Sequence, residues 1–127
     1  MSPRMTPEQT VVAYASTWAE RDEGRRLATL ETCWAPDGLY LDPTGHAEGR
    51  DALCEHIAQF QQIFPDHSIE LAGAVDEHDG YLCFAWKMSG PGNDSVLNGL
   101  DFGQLDREGR LKLICGFFGL QLERGQS

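Results

Sequence analysis

Positive charge is scarce in this chain: 10 Lys and Arg stand against 20 Asp and Glu, a formal net charge of −10 over 127 residues. Such a protein repels phosphate backbones, so nucleic acid is a poor partner. A glycine-rich phosphate loop is also missing; the glycines stand singly in turns and strands. No run approaches the ~18 consecutive apolar residues of a membrane span. Nor does an apolar leader follow Met1-Ser2-Pro3-Arg4, so a cytoplasmic protein without membrane contact is expected. Cys33, Cys54, Cys83 and Cys115 are scattered through apolar stretches with no Cys-x-x-Cys, a usage that fits buried free thiols rather than a disulfide framework. Repeats, low-complexity tracts and linkers are absent, and the length suits one domain, 1–127, with one core.

What is present begins with helices. Thr6-Pro7-Glu8-Gln9 has an N-cap, a proline at the first helical position and a capping-box glutamine. Val11, Tyr14, Ala15, Trp18 and Ala19 recur at three and four, predicting an amphipathic helix to about Asp22. A second helix follows Gly24, with Leu27, Leu30, Cys33 and Trp34 as its buried side, and Ala35-Pro36-Asp37-Gly38 reads as the turn that ends it. A third runs from Gly49 to about Phe64 on Leu53, Ile57, Phe60 and Phe64, flanked by Cys54 and His56.

Beyond Pro65 the period becomes two. Ile69, Leu71, Gly73 and Val75 alternate, and Asp76 to Gly80 reads as a polar turn. Its acidic cluster around His78 lacks a second histidine at ligand spacing, so no metal is expected there. Leu82, Phe84, Trp86 and Met88 form a bulky apolar face, Val96 to Leu105 alternates again, and Leu111 to Leu122 reads as a last long strand. Phe117 and Phe118 put one ring on each face of that strand, which favours a homodimer covering the second face. Helices gathered on one face of a bent antiparallel sheet make an α+β cone with a pocket inside.

Two carboxylates stand out. Leu39-Tyr40-Leu41-Asp42-Pro43-Thr44-Gly45 runs a short strand into a turn, with Tyr40 and Asp42 on one face. Asp42 either caps its own turn or points into a pocket and moves protons. Asp101 sits between Gly99 and Gly103 on a face ending in leucines; it is either an outward residue of an edge strand or an acid in a roomy apolar cavity.

The order of elements, with Asp42-Pro43-x-Gly45 followed by Gly49-Arg50-x-Ala52-Leu53, resembles the NTF2-like superfamily, in particular its SnoaL-like and ketosteroid-isomerase-like branch. The resemblance covers about Thr6 to Leu122 and implies an NTF2-like cone of three N-terminal helices on a curved antiparallel sheet. It also implies roles, residue by residue. Tyr14, in Val11-Val12-Ala13-Tyr14, matches the steroid isomerases' hydrogen-bond donor; Asp42 matches their base, and Asp101 their protonated acid. The order Asp101-Phe102-Gly103-Gln104-Leu105 departs from their Asp-x-Phe-x-Phe, and Ile57 stands where they carry a second tyrosine. By the same comparison polar His56 falls toward the pocket.

The reading is therefore a cofactor-free, metal-free protein with an apolar pocket for a small neutral carbonyl compound. Its chemistry would be acid–base isomerisation or aldol-type cyclisation, with Asp42 as base and Tyr14 and Asp101 as oxyanion donors. Trp18, Trp34, Tyr40, His56, Phe60, Phe84, Trp86 and Gly99 are candidate ligand contacts. A non-catalytic ligand-binding or dimerisation module is the rival, with epoxide hydrolysis or dehydration a third possibility, because the fold is shared by all of them.

Overall fold

Local sequence signals set the first helix. In the computed structural model, which describes residues 4–119, Thr6 and Gln9 exchange both hydrogen bonds of a capping box ahead of α1 (Pro7–Ser16). The helix stops sooner than its apolar stripe predicts. The hydroxyls of Ser16 and Thr17 bond back to the carbonyls of Ala13 and Tyr14 at 2.6 Å, and a turn carries the buried Trp18 inward. Asp22 then caps α2 (Glu23–Cys33) through the Arg25 N–H.

Ala35–Gly38 is not a turn. These residues belong to β1 (Trp34–Asp42), whose pairing slips between Trp34 and Leu39. The Trp34 indole folds over Gly38, donates to its carbonyl, and fills the space a side chain there would need. The strand thus passes around the ring without reversing. A short β2 (Gly45–Glu48) pairs back on β1, and Gly49, at φ 91°, leads into α3 (Arg50–Ile63). Arg50 reaches the carbonyls of Glu31 and Trp34, tying the start of α3 to the end of α2.

The second half is strand: β3 (Ser68–Leu71), β4 (Asp76–His78), β5 (Tyr81–Ser89), β6 (Ser95–Leu105) and β7 (Leu111–Phe118). As the alternation predicts, β5, β6 and β7 are consecutive antiparallel neighbours. The segment expected as a turn at Asp76 to Gly80 starts as β4, paired on β5, and the expected extension of β7 to Leu122 lies outside the described residues. Sheet order is β2-β1-β7-β6-β5-β3. The expected all-antiparallel sheet needs one correction: β1 and β7 run parallel, so the sheet is mixed. The first and last of these strands meet side by side there, and the long stretch between them, which includes α3, supplies the connection that parallel pairing requires.

The three helices cover one face of the sheet. Leu30, Leu53, Ile57, Leu82, Leu111 and Ile114 form the sealed core beneath them. On the opposite face Tyr81, Phe102 and Phe117 stand about half exposed, with Tyr81 stacked on Phe102. All four cysteines are free.

Candidate active site

Between α1, α3 and the inner face of the sheet lies a cavity of about 590 Å³. Aromatic and aliphatic side chains make most of its wall. Tyr14 and Trp18 enter from α1 and the turn after it, His56 and Phe60 from α3, Tyr40 and Asp42 from β1, Phe84 and Trp86 from β5, and Asp101 from β6. The three residues expected to carry chemistry, Tyr14, Asp42 and Asp101, thus share one cavity.

Alternation on β6 sends Asp101 inward with Gly99 and Gly103, so the outward placement is excluded. Its Oδ1 accepts the Trp86 indole N–H at 2.9 Å. Burial pushes the carboxyl up to about 6; the Trp86 donor opposes the rise and the charge of nearby Asp42 adds to it. Tyr14, fully buried at its ring and stacked on Trp34, is likewise held well above the ordinary phenol range by burial and then by Asp101. Among the described residues nothing accepts its hydroxyl proton, and the hydroxyl is not a sealed atom, so that proton is available to the cavity.

Asp42 both caps its own turn and faces the cavity. Oδ1 caps the turn, accepting the Thr44 N–H (2.7 Å), the Thr44 hydroxyl (2.6 Å) and the Gly45 N–H (3.0 Å). Oδ2 accepts the Tyr40 hydroxyl at 2.6 Å and faces Nε2 of His56 at 3.4 Å. Burial opposes ionisation, but the donors from His56, Thr44 and Tyr40 outweigh it and hold the carboxyl well below the usual carboxylate range. A single glycine separates the two acids. A Cβ on Gly116 of β7 would come within 2.8 Å of Asp101 Oδ1 and 3.7 Å of Asp42 Cβ.

Of the expected ligand contacts, Trp18, Tyr40, His56, Phe60, Phe84 and Trp86 line the cavity; Trp34 and Gly99 do not. Trp34 is completely buried, because its ring is committed to Tyr14 and to the bend in β1. Gly99 lies under the Trp86 indole, which would collide with any Cβ there. Its contribution is to let that indole lie flat and reach Asp101. Thr44 and Gly45 also line the cavity and donate to Asp42, as the Asp-Pro-Thr-Gly order signals. Leu97 and Phe118 close the far side, as the inward positions of their strands.

The arrangement sets one ionised carboxylate, a phenol donor and a second carboxyl that is neutral below about pH 6 around an apolar space. Such a space could polarise a carbonyl and take a proton beside it. Among the described residues no three His, Cys, Asp or Glu side chains cluster as metal ligands, and no helix is long and apolar enough to cross a membrane.

A SnoaL-like protein of Agrobacterium tumefaciens, provisionally designated an isomerase, has the same architecture. It is 32% identical, with a TM-score of 0.84 over 90% of this chain and 98% of its own. A protein of Catenulispora acidiphila with a ketosteroid-isomerase-like fold, bound to trimethylamine, is 16% identical with a TM-score of 0.70 over 91% and 88%. A Sinorhizobium meliloti protein provisionally designated a polyketide cyclase is 16% identical, with a TM-score of 0.65 over 84% and 92%. Those last two likenesses are likenesses of fold. Among curated proteins there is no match. The SnoaL-like domain matches residues 11–114, from the first helix to the last strand, and the chain belongs to that family.

Proposed function

We propose that this protein binds a small, neutral, largely apolar carbonyl compound and transfers a proton on it without a cofactor, as an isomerase or an aldol-type cyclase. The observation that carries the reading is the pair of acids astride Gly116, facing one apolar cavity with pKa values shifted in opposite directions. In this reading the Asp42 end takes the proton. Tyr14 and the protonated form of Asp101, populated below about pH 6, form the donor end, where negative charge develops on the substrate oxygen. The aromatic wall excludes water and strengthens both effects. Net charge and the apolar lining disfavour an anionic substrate.

The exposed rings of Phe102, Phe117 and Tyr81 on the outer face of the sheet suit a homodimer through that face. Sedimentation at micromolar concentration should show a dimer; a monomer alone would count against it.

The test of the chemistry is hydrogen exchange. β,γ-Unsaturated ketones and cyclic 1,3-dicarbonyls are incubated with the protein in D2O and followed by NMR for loss of the proton beside the carbonyl. Exchange well above the buffer rate is expected for at least one. Binding without exchange or product would leave the ligand-binding module.

A further inference from the structure

We propose that the proton acceptor is Nδ1 of His56, and that Asp42 is the residue that positions and charges that ring. The inference rests on the acid–base reading above and refines it at one end of the cavity.

A carboxylate has about four lone-pair sites. Those of Asp42 are taken by four hydrogen bonds of 2.6–3.0 Å and by the His56 ring. Its side chain is only 4% exposed, whereas that of His56 is 19% exposed and lines the cavity. To accept a proton from carbon, Asp42 would first have to lose one of its donors. Its proton affinity is also low for a base, being held down by those same donors.

His56 has none of these handicaps. Its ring is seated by Tyr40, with centroids 5.2 Å apart, and edge-on by Trp18 at 6.1 Å. Nε2 faces an ionised carboxylate oxygen, which fixes the proton on Nε2 and leaves the lone pair on Nδ1. Among the described residues Nδ1 has no partner. The only sealed side-chain nitrogens or oxygens without one among the described residues belong to His67 and Arg110, so Nδ1 of His56 is not a sealed atom. The 3.4 Å contact to Asp42 is long, and it strengthens once the ring gains a positive charge.

The step balances. The C–H electron pair of the substrate passes into the enolate, and the proton goes to Nδ1. The negative oxygen is held by the Tyr14 and Asp101 donors, and the imidazolium, paired with Asp42, returns the proton to another carbon. His56 is then the catalytic residue and Asp42 its positioning residue.

Chemical rescue and ring NMR test this on the whole chain. In the D2O exchange assay His56→Ala should fall at least a hundredfold, and added imidazole should restore at least tenfold of that. His56→Gln, which keeps more of the volume, should fall as far, so that a folding defect in one variant is not mistaken for lost chemistry. Asp42→Asn should move the ring proton from Nε2 to Nδ1 in 15N spectra, a change that a merely structural role would not produce. A His56→Ala variant within threefold of wild type, or one that imidazole cannot restore, would overturn the assignment. Absent exchange by the wild type would tell against the acid–base reading itself. The assignment would still be decided by the spectra, since a wild-type ring carrying its proton on Nδ1 excludes that atom as the acceptor.

Discussion

Asp42 and Asp101 are the same side chain facing the same cavity, and their surroundings push them in opposite directions. Asp42 ends a strand at a turn, where backbone and side-chain donors converge on it. Asp101 lies in mid-strand between two buried glycines, where the strand ladder engages the backbone groups and only the Trp86 indole donates to its carboxyl. A strand interior offers little to solvate a charge, and a turn offers a great deal. Two acids with pKa values shifted in opposite directions therefore need no unusual residue, only a turn and a strand that meet at one cavity. Gly116 makes the meeting possible, since any side chain there would intrude between them.

The comparison is broken most severely by Asp42→Asn. The amide keeps the shape, but it removes the charge that fixes the His56 tautomer and supports the imidazolium. Turnover of any responsive enone should fall by roughly a thousandfold or more, as it does when the acid behind a catalytic histidine is neutralised. The same substitution should lower the pKa of Asp101, because the charge that helps raise it is gone. Carbon-13 NMR of the Asp101 carboxyl reads that directly. An Asp101 titration unmoved in Asp42→Asn would mean that the two acids do not sense each other.

A smaller loss is expected from Tyr14→Phe. One oxyanion donor typically supplies roughly a hundredfold or more, and Asp101 remains to hold the oxygen, so the effect should lie near the low end of that range. Because the Tyr14 proton is unclaimed among the described residues, its removal leaves no acceptor stranded, and melting temperature should barely change. Loss equal to that of Asp42→Asn would place the reacting oxygen on Tyr14 alone.

How much of this could be read from the sequence follows the range of each interaction. The capping box at Thr6, the Asp42 turn and the alternation of β6 depend on neighbours a few residues apart and are legible, whereas which face of β6 turns inward is not. The parallel pairing of β1 with β7 joins the first strand to the last and leaves no local trace. Ala35-Pro36-Asp37-Gly38 has the composition of a turn; only the Trp34 ring bending back over Gly38 makes it a strand. Trp34 and Gly99 were misplaced at the pocket for the same reason, since periodicity gives a face and cannot say which neighbour already fills the space. The contact of His56 with Asp42 crosses from α3 to β1, and sequence could say only that His56 falls toward the pocket.

The smallest effect concerns stability, and it separates the two acids most cleanly. Asp101→Asn keeps an oxygen to accept the Trp86 N–H and an N–H to offer the substrate, so it imitates the neutral acid. The wild-type carboxyl has its pKa raised from 3.8 to about 6 by burial, so its ionisation costs the folded state more than the unfolded chain. The stability tied to its neutral form is complete below about pH 4 and is lost as pH rises through about 6. Urea unfolding should accordingly find Asp101→Asn close to wild type at pH 4.5. At pH 8 it should be more stable by roughly 1–3 kcal/mol, from a shift of about two units at 1.36 kcal/mol each. Asp42 has the reverse sign: its depressed pKa gives stability present above the ordinary carboxylate value and lost only in strong acid. Asp42→Asn should thus be less stable than wild type at pH 8, where Asp101→Asn is more stable. If both amides shift stability in the same direction at pH 8, the two carboxyls are not shifted in opposite directions, and the division of the cavity into a charged end and a donor end fails with them.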